Sequence, residues 1–391
     1  MKQFVSLLIN LFFAHQILLA QPNDDYQRAI YALHNIEKLY QVNDGTFLFR
    51  ETYPFDAAHQ ATYLGTDVSP ASNKYSYLWP FSGSLSAYVA LYEYDNKIQT
   101  LEHIDQIVWQ GLLNYEDKRF PFGYASYVKT APQSDRFYDD NIWLGIDFVD
   151  LYLTSGQNKY LDEALRIWDF VRSGMDDKLG GGIYWCEQRK ESKNTCSNAP
   201  AVVYLAKLYE ATKNVKYLDE AKYLYNWTKK TLGDPEDHLY WDNINLDSQI
   251  DKRKYPYNTG QMIQAGALLY KITGEEFFLK DAQESANSGF YHFFNTKHFL
   301  NSSNRSAILK KSDNWFIAIM MRGYIELYKQ DRNAIYIEAF KSNLGYAWKY
   351  MRDENGLFGK DWTVEKESVG KKWLLDQFAM VEMYARLAVI Q

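Results

Sequence analysis

The sequence predicts an all-α protein, an (α/α)6 barrel of six helix pairs. Three observations predict it. An apolar–Tyr dipeptide recurs at Leu91–Tyr92, Leu151–Tyr152, Leu208–Tyr209, Leu269–Tyr270, Leu327–Tyr328 and, as a variant, Met383–Tyr384. These tyrosines stand 60, 57, 61, 58 and 56 residues apart, and self-similarity at a fixed period marks stacked supersecondary units. A second marker follows: "KYLDEA" from Lys159 and again from Lys216, "FFLKDA" from Phe277, and a weaker "IYIEAF" from Ile335. Finally, two kinds of helix alternate. "NIWLGIDFVDLY" places Ile142, Gly145, Ile146, Val149 and Tyr152 on one helical face, and a polar turn then leads into an amphipathic run such as "YLDEALRIWDFV". The first kind suits an inner helix buried on most sides, the second an outer helix with one wet face. Six pairs fill the chain. An open superhelix is the alternative; the count of six, with no polar capping repeat, favours closure.

In chain order, the first element is a leader. "MKQFVSLLINLFFAHQILLAQ" carries one Lys, an apolar stretch from Phe4 to Ala14 and a short tail ending at Ala20, the shape of a secretory signal and too short for a membrane span. Cleavage near Ala20 is expected despite Leu18 at the −3 position, so residues 1–20 form the signal and 21–391 a single barrel domain. The mature chain is then secreted or periplasmic, without a membrane partner, and is expected to be a monomer. A net charge of −6 without a basic tract excludes a nucleic-acid partner. The 17% aromatic content, with 33 Tyr and 11 Trp, suits either a core or a surface on which sugar rings stack.

The inner-helix starts come next: "WPFSGS" at 79–84, "YDDN" at 138–141, "CSNAP" at 196–200, "YNTG" at 257–260 and "DNW" at 313–315. They read as N-caps. In a closed barrel all six inner helices start at one rim, so these polar ends converge there. Capping needs one side chain per helix, and Asp139–Asp140 supplies two. Carboxyls on consecutive residues can sit at the roughly 5 Å that a retaining glycosidase needs. The helix N-terminus favours the anion of one, and that charge keeps the proton on the other. Asp24–Asp25 and Asp176–Asp177 are read as loop or cap pairs.

"YDDNIW" at 138–143, "GGGIYWCE" at 180–187, "KNTCSNAP" at 193–200 and "YNTG" at 257–260 resemble glycoside hydrolase family 76, the α-1,6-mannanase family, over nearly all of the chain from Trp79 onward. The resemblance implies an (α/α)6 barrel, a retaining mechanism without metal or other cofactor, Asp139 as nucleophile, Asp140 as acid/base, and α-1,6-linked mannan or manno-oligosaccharides as the substrate. An endo-acting hydrolase is the expected activity; a cell-wall transglycosidase or a non-catalytic mannan-binding protein of the same fold are the alternatives.

Further substrate contacts are expected from Tyr138, Asn141, Trp185, Asn194, Asn198, Tyr257, Asn258 and Trp315, for which capping or core packing is the competing role. Trp373 is another candidate sugar platform, and Trp143 is read as support for the site. Glycines 180–182 read as a tight turn, because no Lys-Ser or Lys-Thr follows. The two cysteines, Cys186 and Cys196, are expected to pair if the compartment is oxidising; two free thiols are the alternative.

Overall fold

Inner and outer helices alternate along the chain as the repeat predicts. The computed structural model describes residues 24–58, 74–296, 307–363 and 370–390, so the expected signal at 1–20 lies outside the described residues. The helices are α1 (Asp24–Tyr40), α2 (Leu78–Asp95), α3 (residues 98–112, with a π-helical turn at Ile104–Val108), α4 (Tyr138–Ser155), α5 (Asn158–Arg172), α6 (Thr195–Thr212), α7 (Val215–Leu232), α8 (Pro256–Thr273), α9 (Glu276–Phe293), α10 (Asn314–Asp331), α11 (Ile335–Tyr350) and α12 (Leu374–Ile390). The even-numbered helices form the inner ring. Each packs on its ring neighbours, and α12 closes onto α2, which makes the barrel closed rather than an open superhelix. No described helix is long and apolar enough to cross a membrane.

The recurring dipeptide has a structural reason. Its leucines are buried in the core. The carbonyl of each following tyrosine accepts the N–H of a left-handed residue that ends the inner helix: Asn96, Gly156, Lys213, Gly274 and Arg332 donate to Tyr92, Tyr152, Tyr209, Tyr270 and Tyr328 at 2.8–3.0 Å. This left-handed cap stops the helix and turns the chain outward. The sixth pair departs from the expected order. No helix follows α12 among the described residues, and α1 packs against it, so the two ends of the chain complete the ring.

Inner helices approach closely where side chains vanish. A Cβ at Gly323 would lie 2.1 Å from the Gly260 carbonyl oxygen, and one at Gly260 would lie 2.3 Å from Met320 Cα; glycine at both positions lets α8 and α10 touch backbone to backbone. The ring also holds buried charge. Arg322 donates to both oxygens of Glu382 at 2.5 and 2.9 Å, Arg386 donates to Glu382 at 2.6 Å, and Asp147 lies 3.9 Å from Arg322.

The inner-helix starts differ from the capping expectation. The N-caps of α2, α4, α6, α8 and α10 are Tyr77, Phe137, Asn194, Tyr255 and Asp313, and no side chain of theirs caps a helix. Instead the polar residue one turn in clamps a crossing loop. Asn141 accepts from Tyr124 N (2.8 Å) and donates to Tyr124 O and Phe137 O. Asn198 accepts from Ile183 N (2.7 Å) and donates to Ile183 O and Asn194 O. Gln377 accepts from Phe358 N and donates to Phe358 O. Each is the fourth residue of its helix, and each satisfies loop amides that would otherwise be buried unpaired. A three-stranded antiparallel sheet, Ser192–Asn194, Trp241–Asn245 and Ile250–Lys254, stands on the same rim.

Candidate active site

The inner-helix N-termini surround a cleft of about 560 Å³. Asp139 and Asp140 reach it from the first turn of α4, where the helix dipole favours negative charge. Aromatic rings line it: Trp79 from α2, Trp143 from α4, Trp185 from the loop before α6, Tyr257 from α8, Trp315 and Phe316 from α10, and Tyr255 at the end of the sheet. Trp315 meets Trp143 and Trp79 edge-on at 4.9 and 5.2 Å, so the rings hold one another rigidly.

The two carboxyls have unlike surroundings. Asp139 Oδ2 accepts the Trp185 indole N–H at 3.1 Å and the Cys196 thiol at 3.2 Å, and its Oδ1 accepts the Asp140 backbone N–H at 3.1 Å. Among the described residues no donor reaches the Asp140 carboxyl, and Asp140 is buried. Burial raises Asp139 to about 6, with the three donors opposing the rise. Asp140 is pushed well above the usual carboxylate range, by burial first and then by the charge on Asp139. Two carboxyls side by side, Asp140 buried and Asp139 half-buried, share one proton near neutrality, and the hydrogen bonds leave it on Asp140. The arrangement offers an anion and a protonated acid facing one cleft.

The predicted contact residues divide. Trp185, Asn194, Tyr257 and Trp315 are on the cleft wall. Four others are not, and each has a reason. Tyr138 is fully buried, its ring stacked on Phe170 at 4.9 Å under Gly174. Asn141 and Asn198 spend their amides on the loop clamps. Asn258 is fully buried with its Nδ2 3.5 Å from Asp242 Oδ1, so it backs a wall residue. Trp373 lies off the cleft and donates to Glu51 at 2.7 Å.

Sequence reasoning missed Trp79 as a cleft residue, together with Asp242, Arg253, Tyr255, Asp313 and Phe316. Trp79 and Asp313 stood in the aligned helix starts. Asp242, Arg253 and Tyr255 come with the hairpin, which a helical period cannot reveal. Burial raises Asp242 above its ordinary value.

The cysteines do not pair. Trp185 and Cys186 are successive residues of an extended segment, Cys186 bridging Phe137 and Tyr184 bridging Lys193. Extended backbone sends neighbouring side chains to opposite faces. Trp185 therefore faces the cleft, while Cys186 packs with Tyr77 and Phe137. Cys196, in the first turn of α6, turns its thiol to Asp139.

A family model described as Glycosyl hydrolase family 76 matches residues 54–391. Among solved structures, the family 76 mannosidase Bt3792 of Bacteroides thetaiotaomicron VPI-5482 is 31% identical over 94% of this chain and 99% of that one, with a TM-score of 0.83. The GH76 α-mannanase BT2949 of Bacteroides thetaiotaomicron is 26% identical over 94% and 96% of the two chains, with a TM-score of 0.81. The mannan endo-1,6-α-mannosidase DCW1 of Candida glabrata is 28% identical over 155 residues, 37% of this chain and 33% of its own length; the matched part thus spans about a third of that fungal protein. The family match, the closed ring of helix pairs and the carboxyl pair in the cleft agree: this chain belongs to glycosyl hydrolase family 76.

Proposed function

We propose that this chain is an exported, retaining hydrolase of the α-1,6-mannan backbone. The observation that carries the reading is the inequality within the carboxyl pair: Asp139 has three donors and Asp140 none. Asp139 attacks the anomeric carbon as Asp140 protonates the departing glycosidic oxygen, which leaves a β-mannosyl ester on Asp139. Asp140, now an anion, takes a proton from water; that water attacks the anomeric carbon from the α face, breaks its bond to the Asp139 carboxylate and gives a product with the α configuration. The rings around the pair supply apolar faces for successive pyranoses. Hydrolysis is preferred to transfer because the two solved relatives at 31% and 26% identity are described as a mannosidase and a mannanase. The leader sequence supports export.

The test uses debranched α-1,6-mannan. Wild type should release oligosaccharides, and Asp139→Ala should release none. Asp140→Ala should be inactive on mannan but keep activity on a mannoside with an acidic phenol as leaving group, and azide should give it a mannosyl azide of retained configuration. If both variants keep wild-type activity on mannan, the pair is structural and the reading fails. Longer chains in place of oligosaccharides would establish the transglycosidase.

A further inference from the structure

Cys196 has no part in the double displacement, yet its sulfur is the atom of α6 that meets the proposed nucleophile. It lines the cleft and lies 3.2 Å from Asp139 Oδ2, the same oxygen that takes the Trp185 indole N–H at 3.1 Å. The two donors approach from different elements, Trp185 from the loop and Cys196 from the first turn of α6. The clamp at Asn198, two residues beyond Cys196, ties that turn to Ile183, two residues before Trp185. One device therefore sets both donors.

We propose that Cys196 is a positioning residue for catalysis: its thiol, paired with the Trp185 indole, fixes the Asp139 carboxylate in the orientation that faces the cleft. This rests on the reading of Asp139 as nucleophile. The thiol is suited to donate. Burial first, and then the charges of Asp139 and Asp242, push it well above its ordinary value, so it is S–H at neutral pH, where Asp139 is an anion. Donation to an anion favours that anion, and Asp139 is lowered by this bond relative to burial alone. The other titratable or charged groups around Asp139 are Asp140 on its own helix, Asp242 and Arg253 on the hairpin, Tyr255 and Tyr257 at the start of α8, and Asp313 before α10. Arg253, the one cation among them, is drawn onto Asp251 at 2.5 Å and lies 3.7 Å from Asp242. Neutral donors therefore hold Asp139.

The experiment measures kcat/KM against pH on α-1,6-mannotetraose for wild type, Cys196→Ser, Cys196→Ala and Cys186→Ala, each checked for native circular dichroism. The acidic limb reports ionisation of Asp139 in the free enzyme. Cys196→Ala should move that limb up by about 0.5–1 pH unit, the scale of one hydrogen bond to a carboxylate. Activity should then be about 3- to 10-fold lower on the acid side, with a smaller loss above the limb where the freed carboxylate is ionised but less well oriented. Cys196→Ser keeps a donor and should keep the wild-type limb, as should Cys186→Ala, whose side chain faces away. An unmoved limb in Cys196→Ala overturns the proposal, as does an equal shift in Ser and Ala, or an equal loss in both at every pH, which is what a packing role gives. Asp139→Ala separates the two levels. If it stays active, the reading of the site fails; if it is inactive while the Cys196→Ala limb is unmoved, only the role of Cys196 fails.

Discussion

Replacing Asn198 with Ala tests whether the polar residues at the rim are loop clamps. Asn198 is fully buried and makes three hydrogen bonds: from Ile183 N at 2.7 Å, to Ile183 O at 2.9 Å and to Asn194 O at 2.8 Å. The two bonds that Asn198 donates contribute about 1 kcal/mol each net, and leaving the Ile183 N–H buried without an acceptor costs about 1–3 kcal/mol. The expected loss is about 3–5 kcal/mol, a large share of the roughly 5–15 kcal/mol that holds a folded protein together. The assay is urea unfolding followed by circular dichroism, with mannan hydrolysis measured on the fraction still folded. The midpoint should fall by that free energy at an unchanged slope. Activity should fall at least about tenfold, the effect of misplacing catalytic groups by a fraction of an ångström, because the Ile183 segment carries Trp185 to Asp139. Asn141→Ala should cost as much stability, since it binds the Tyr124 segment with the same three bonds. A loss below about 1 kcal/mol with full activity would refute the clamp and restore Asn198 as a candidate sugar contact.

Three further outcomes follow from packing and buried charge. Gly323→Ala places a methyl 2.1 Å from a backbone oxygen that cannot swing aside, so urea unfolding should show a loss of about 3 kcal/mol or more; Gly345→Ala, with no atom within 4 Å of the new methyl, should gain up to about 1 kcal/mol. Glu382→Gln leaves buried Arg322 without its close carboxylate, while half-buried Arg386 keeps Glu93 at 3.0 Å, and should cost about 3–5 kcal/mol at pH 7. Arg322 and Arg386 hold Glu382 down at about 2 against burial. In wild type its stabilisation is therefore present above the ordinary value of 4.5 and is lost as pH falls toward 2; the variant should lack that slope. Asp147 behaves oppositely. Burial lifts it from 3.8 to about 7, so the folded state holds the extra proton and stability falls as pH rises through that window. Asp147→Asn should flatten the decline in unfolding free energy measured between pH 4 and pH 7.

The barrel was legible because one device repeats five times: a buried Leu followed by a Tyr whose carbonyl receives the helix-ending amide. The residue at that end was less legible. Gly156 and Gly274 show the left-handed position in the sequence, whereas Asn96, Lys213 and Arg332 adopt it with a side chain. The aspartate pair stood out because its position in the repeat was known. The asparagines misled for a physical reason. Asn is favoured at a helix start and equally able to satisfy both groups of a crossing peptide, and a shift of four residues, from the N-cap to the clamp, decides between the roles. The cysteine pairing failed on local geometry: ten residues of spacing permit a bridge, while strand alternation sends Cys186 away from Cys196. The cleft wall formed by the 241–254 hairpin and by Tyr255 lay outside any helical pattern.

A double displacement at Asp139 and Asp140 fixes the stereochemistry of the first product. Proton NMR of a fresh digest of reduced-end-blocked α-1,6-manno-oligosaccharide, recorded before mutarotation, shows which anomer appears first. The α-anomer should appear first, with β growing in later at the rate of mutarotation. A β-anomer formed first would mean direct attack by water, and would contradict Asp139 as the nucleophile.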